Sequence, residues 1–174
     1  MKTKIISITN ILIVINLIMF YIQNSIQNGT LYFGLNQFLF EYKLYHQPLS
    51  TMFVHSGFLH IAMNMFVLFQ FGNMIEAHIG WLRFLILYLI GGVLTSVGSL
   101  GYMYFVGDWA NLIGASGAIS VLLGWYALRV PSERKAIIIW ILLISFAPLL
   151  LGMPIGWYSH LIGFVLGWIF GYFI

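Results

Sequence analysis

Cysteine is absent from this 174-residue chain, and charge is scarce: seven Lys+Arg and four Asp+Glu make up 6% of the residues. Without cysteine there is no disulfide framework, no Cys-based zinc site and no thiol nucleophile. The redox compartment stays undetermined. The shortage of charge excludes more. A soluble domain carries about 25% charged residues, and eleven charges cannot cover the surface of a water-soluble fold of this size. A soluble globular protein, a disordered chain and a free nucleic-acid-binding module are therefore ruled out. The net charge of +3 is spread along the chain, where it sets orientation in a membrane and does not gather phosphate. A small-residue cleavage site is also missing after the opening Met1-Lys2-Thr3-Lys4 and its apolar run. The start thus reads as an uncleaved membrane helix rather than a signal peptide.

What is abundant is apolar residues, 61% of the chain, with a mean hydropathy of +0.99. A transmembrane helix needs about 20 mostly apolar residues. Six segments answer to that pattern: 5–22, 49–75, 81–105, 112–130, 136–151 and 157–174. The fifth is short, and polar residues interrupt the second. The predicted fold class is an all-α polytopic membrane protein, a six-helix bundle forming one domain over residues 1–174 with no soluble appendage. Six of the seven basic residues fall on one side of it: Lys2, Lys4, Arg83, Arg129, Arg134 and Lys135. Lys43 alone falls on the other. The positive-inside rule then puts both termini in the cytoplasm. A short, Ile- and Asn-rich chain without targeting features reads as a bacterial plasma-membrane protein.

The first outer loop, residues 23–48, is long for a compact bundle. Its aromatics, including Tyr32, Phe33, Phe40, Tyr42 and Tyr45, predict a loop lying partly in the outer leaflet. An ordinary structured loop is the alternative. Gly163, Gly167 and Gly171 recur every four residues on the last span. They line one face with bare backbone, as in close-packed GxxxG pairs. Gly114, Gly117 and Gly124 make the fourth span similar, so these two are expected to approach closely within one molecule.

Polar side chains inside membrane helices are costly and point to function. Span two holds His55, His60 and Asn64, span four opens Gly114-Ala115-Ser116-Gly117, and span six has Ser159 and His160 near its start. Each alone has a plain reading: a membrane serine back-bonds to its own helix, and a histidine at a span end sits at the interface. Together they are harder to dismiss. All three spans run inward from outside, and all these residues lie in the outer halves at one depth. A serine hydroxyl becomes a nucleophile when a neighbouring base takes its proton, and His160 is such a base. The Ser116 amide, at a helix N-terminus, offers a donor to an oxyanion, and His60 and Asn64 offer two more. No carboxylate shares this level, so the constellation is a Ser–His dyad without a third acidic member. Zinc is the competing reading of three histidines, but HExxH is missing and no carboxylate lies beside them.

These residues also carry a resemblance. Gly114-Ala115-Ser116-Gly117 resembles the GxSG nucleophile motif of the rhomboid family of intramembrane serine proteases. His160-Leu161-Ile162-Gly163 with Gly167 resembles the family's HxxGxxxG, and His55 with His60 and Asn64 its HxxxxHxxxN. Glu76 to Gly80 resembles its ExxxG. The four motifs fall in order on the expected helices from residue 5 to 174, in the minimal six-helix form. The resemblance implies Ser116 as nucleophile and His160 as general base. It implies an oxyanion hole of His60, Asn64 and the Ser116 amide, with His55, Gly114 and Gly117 in support and Glu76 and Arg83 structural. It also implies transmembrane protein substrates cut in or near the membrane, a water-filled cavity open to the outside, and no cofactor or metal. The chain departs from the family in three places. The first loop lacks the Trp-Arg pair, Ser159 precedes the histidine where alanine is common, and Ser120 stands where many members place an aromatic. Two other readings compete. One is a rhomboid-like pseudoprotease that binds membrane clients without cutting them, which the retained serine and histidine disfavour. The other is a small channel or transporter, which the one-sided placement of polar groups disfavours.

Overall fold

The structure is a computed structural model that describes residues 7–150 and 156–174. The basic residues Lys2 and Lys4 lie outside the described residues, as do Gly152 and Pro154 between the fifth and sixth expected spans. Among the described residues the chain is helical, with one isolated antiparallel bridge between Leu35 and Leu112. In chain order come α1 (Ile8–Ser25), three short helices α2 (Gly29–Phe33), α3 (Phe38–Glu41) and α4 (Gln47–Ser50), and a 3₁₀ turn over Thr51–Phe53. α5 (Phe58–Val67) then runs through a π-helical turn, Leu68–Gly72, into α6 (Asn73–Ile79). α7 (Trp81–Val106), α8 (Ser116–Arg129), α9 (Arg134–Leu150) and α10 (Trp157–Phe170) complete the bundle.

Among the described residues three helices are long and apolar enough to cross a membrane: Ile8–Ser25, the continuous Phe58–Ile79, and Trp81–Val106. α8, α9 and α10 have 14, 17 and 14 residues, below the length expected of a lipid-spanning helix. α8 is the most enclosed of them. Every residue from Gly117 to Trp125 is buried. Its neighbours are mainly α7, α9 and α10, so protein rather than lipid surrounds it. That is why it tolerates Ser and Gly where a lipid-facing helix would carry Leu and Ile.

The second expected span needs correction. The apolar pattern predicts a start at residue 49, but residues 49–57 are not part of the long helix. Val54 is extended (φ −105°, ψ 143°), Gly57 is extended, and α5 starts only at Phe58. His55 therefore lies on the link before the helix and not on the helix with His60. The long first loop folds as α2 to α4 and is pinned to the segment before α8. Leu35 and Leu112 exchange both backbone hydrogen bonds (2.9 and 2.8 Å), and the Asn36 side chain reaches Asn111 Oδ1 (3.0 Å). At the opposite end Glu76 holds α1. Its carboxylate accepts from the Ile8 and Thr9 amides (2.9 and 2.8 Å) and the Thr9 hydroxyl (2.7 Å). A negative group at exposed helix N–H groups is favourable on both hydrogen-bond and dipole grounds. The turn from α6 into α7 passes through Gly80 at φ +83°, a conformation that disfavours a side chain.

The expected close approach of the fourth and sixth spans is seen between α8 and α10. A Cβ placed on Gly167 would overlap the Val121 carbonyl, and one on Gly124 the Phe164 carbonyl. Gly163 lies against the Gly117 carbonyl and the Ser120 side chain. The two helices meet backbone to backbone. Behind this seam the core is filled by Phe84, Leu87, Tyr88, Leu122 and Leu123, with Met52 reaching in from the 3₁₀ turn.

Candidate active site

The backbone approach before α8 is set by three contacts. The Gly114 amide donates to the Thr51 carbonyl (2.9 Å), and the Thr51 hydroxyl donates to the Leu112 carbonyl. The Ala115 amide points at His55 Nε2 (3.5 Å). Gly114 sits at φ +127°, where an L side chain is strained. The chain then turns into α8 with Ser116 as its first residue, so the Ser116 amide is among those with no acceptor inside the helix.

His160 lies in the first turn of α10. Its Nε2 is 3.0 Å from Ser116 Oγ, although the two residues are 44 apart in sequence. The glycine seam causes this closeness. With Gly163 resting on the Gly117 carbonyl, the turn carrying His160 stands directly over the start of α8. Gly117 itself faces the Ser159 hydroxyl and Thr95, so it too leaves no room for a larger residue.

His60 faces the same point from α5. Its ring is oriented by Ser56, whose amide and hydroxyl lie 3.3 and 3.0 Å from Nδ1. A backbone N–H can only donate, so Nδ1 is the acceptor and the proton is on Nε2. A Cβ on Gly114 would sit 2.9 Å from His60 Nε2 and 3.6 Å from Ser116 Oγ. The His60 ring thus packs against Gly114 where a side chain would stand, on the side that faces the Ser116 hydroxyl. Asn64, one turn further along α5, is buried and donates one amide hydrogen to the His60 carbonyl (2.9 Å), with a second hydrogen remaining. His55 is fully buried, its ring in edge contact with that of His60 at 5.1 Å. Ser116, His160 and His60 thus converge on one point. His55 packs against the His60 ring, and Asn64 follows one turn along α5. Among the described residues no group of three or more His, Cys, Asp or Glu is arranged to hold a metal ion.

Several residues of the site were not singled out from sequence. Gln23 clamps the link carrying His55 from α1, its side chain donating to the His55 carbonyl and accepting from the His55 amide (2.9 Å). Ser56 orients His60, and Thr51 holds the Gly114 turn. Ser145, fully buried on α9, lies 3.3 Å from His160 Nδ1. The sequence signal for Ser145 was a lone hydroxyl in an Ile-, Leu- and Trp-rich run. Nothing in that run says which helix the hydroxyl faces. Ser120 turns its hydroxyl to the Ser116 carbonyl (2.7 Å) and away from the histidine.

A Rhomboid domain model matches residues 43–174. The chain is 32% identical over 138 residues to presenilin-associated rhomboid-like protein A, mitochondrial, of Danio rerio, an alignment covering 70% of this chain and 36% of that one. It is 35% identical over 127 residues to rhomboid-type serine protease 2 of Emericella nidulans, covering 67% and 24%. It is 27% identical over 133 residues to rhomboid protease GlpG of Haemophilus influenzae, covering 71% and 67%. The chain thus spans about a third or less of the mitochondrial and fungal relatives, and two thirds of the bacterial one. With apolar helices of membrane-crossing length and a Rhomboid domain over most of its residues, this multi-pass membrane chain belongs to the rhomboid family.

Proposed function

We propose that this chain is an intramembrane serine endopeptidase that cuts transmembrane protein substrates in or near the bilayer. The observation that carries the reading is the 3.0 Å approach of His160 Nε2 to Ser116 Oγ from two different helices. Protease relatives support it. Ser116 Oγ passes its proton to His160 Nε2 and bonds to the scissile carbonyl carbon. The negative charge that develops on the carbonyl oxygen lies beside Ser116 Oγ, on the side facing His60. There the Ser116 amide and His60 Nε2–H can donate to it, with the second hydrogen of Asn64 behind them. His160 returns the proton to the leaving amine, which departs as the C–N bond breaks. Water then repeats the sequence on the acyl-enzyme, freeing Ser116. Every group needed is a side chain or amide of this chain, so the scheme uses no cofactor.

The membrane setting completes the proposal. Six spans form one domain, with both termini cytoplasmic and the site opening to the extracytoplasmic side. α8 to α10 count as spans despite their length, because neighbouring helices and the loops above them make up the missing thickness. The test is cleavage of a single-span substrate by purified protein in detergent. Ser116→Ala and His160→Ala are each expected to abolish it, and Ser116→Ala to abolish covalent labelling by a fluorophosphonate. A folded wild type that neither cleaves nor labels would overturn the proposal in favour of a client-binding pseudoprotease.

A further inference from the structure

The Ser145 hydroxyl belongs to neither member of the dyad, yet it stands at the far side of the base. It is fully buried, and it donates to the Ile141 carbonyl one turn back on α9 (2.7 Å). A hydroxyl has one hydrogen, so with that hydrogen committed its oxygen can only accept. The group 3.3 Å away is His160 Nδ1, which must therefore bear the proton. Nε2 is then left unprotonated, 3.0 Å from Ser116 Oγ, as a general base requires. A directed relay runs from Ser116 Oγ–H to His160 Nε2, from His160 Nδ1–H to Ser145 Oγ, and from Ser145 Oγ–H to the Ile141 carbonyl. It joins α8, α10 and α9.

We infer that Ser145 is a positioning residue for the general base: it fixes the tautomer and ring plane of His160 in the place where a carboxylate stands in a catalytic triad. The inference rests on the proposed Ser116–His160 dyad. It makes α9 part of the catalytic apparatus. α9 packs against α8 and α10 with exposed Leu142 and Leu143 on its outer side. Any outward displacement of α9 takes the acceptor away from His160, so the base is fully set only while α9 is seated.

The test compares Ser145→Ala and Ser145→Thr with wild type, using cleavage of a single-span substrate and the rate of fluorophosphonate labelling of Ser116. Labelling needs the activated serine but no substrate docking. Loss of a tautomer-fixing hydrogen bond is expected to lower kcat and the labelling rate about ten-fold, with KM unchanged and the protein still folded. The threonine variant keeps the hydroxyl and is expected to restore both rates to within about two-fold, on the same hydrogen-bond argument. Labelling of Ser145→Ala at the wild-type rate would overturn the inference and leave the dyad standing. So would a threonine variant as slow as alanine at wild-type melting temperature, since the hydroxyl would then not be the active element. Labelling of wild type that persists in Ser116→Ala would instead overturn the dyad, and this inference with it.

Discussion

Gly114 meets two demands with one missing side chain. Its φ of +127° turns the chain into α8, and its missing Cβ lets the His60 ring come to where a side chain would stand, 2.9 Å from that position. Alanine there is strained by its backbone and also pushes the His60 ring, a proposed oxyanion donor, off its place. Gly114→Ala is therefore expected to reduce cleavage at least about 100-fold, the scale of losing one oxyanion donor. Thermal unfolding in detergent would check that the variant is still folded, since the backbone strain itself costs only about 1–3 kcal/mol. A near-wild-type rate would show that His60 is not an oxyanion donor. At this scale the sequence was informative where residue type and spacing carry the chemistry. A serine between glycines, and histidines in membrane helices, could be read directly. Ser56, Thr51, Gln23 and Ser145 could not. Each is an ordinary polar residue whose role comes from the element it happens to face, and that is fixed only when the helices are assembled.

Among the elements, the pairing of α8 with α10 decides where the site forms. Gly167 and Gly101 are both glycines in apolar helices, but they differ completely in surroundings. A Cβ on Gly167 would overlap the Val121 carbonyl, whereas one on Gly101 meets nothing within 4 Å. Gly167→Leu is expected to destabilise the protein by about 3 kcal/mol or more, as overpacking against immovable backbone does. Gly101→Ala is expected to stay within about 1 kcal/mol, the ordinary helix effect. Thermal unfolding of the purified variants separates the two. If Gly167→Leu melted like wild type, the seam would not be the rigid contact it is here. The four-residue glycine spacing on α10 was legible, because a helical period is written in the sequence. The start of α5 was not. Apolar Leu49, Met52, Phe53 and Val54 carry the pattern on past the polar residues between them, and the extended backbone at Val54 and Gly57 shows that His55 precedes the helix. The π-helical turn at Leu68–Gly72 left no mark in composition either; there the missing side chain of Gly72 faces Thr9 of α1.

For the whole molecule, the absence of cysteine gives a direct way to test orientation. Tyr42→Cys in the first loop and Ser132→Cys between α8 and α9 both lie at exposed positions and leave every Lys and Arg in place. In intact cells a membrane-impermeant maleimide is expected to label the first variant, and to label the second only after the membrane is opened. The reverse pattern would invert the proposed orientation. Membrane character was the most legible property, because a charge content this low admits few other solvents. The number of spans was less so, because α8 is surrounded by protein and need not reach a full bilayer's length. That shortness has a consequence. Fourteen residues of α-helix measure about 21 Å, against about 30 Å of hydrocarbon. With Arg129 at one boundary of the proposed bilayer, Ser116 at the other end of the helix is immersed about 9 Å beneath the opposite boundary, by the same rise per residue. Helix length thus acts as a depth gauge. On the proposed function, a bond in a passing chain comes within reach of the hydroxyl by how far below the surface it lies, before any side chain beside it is recognised.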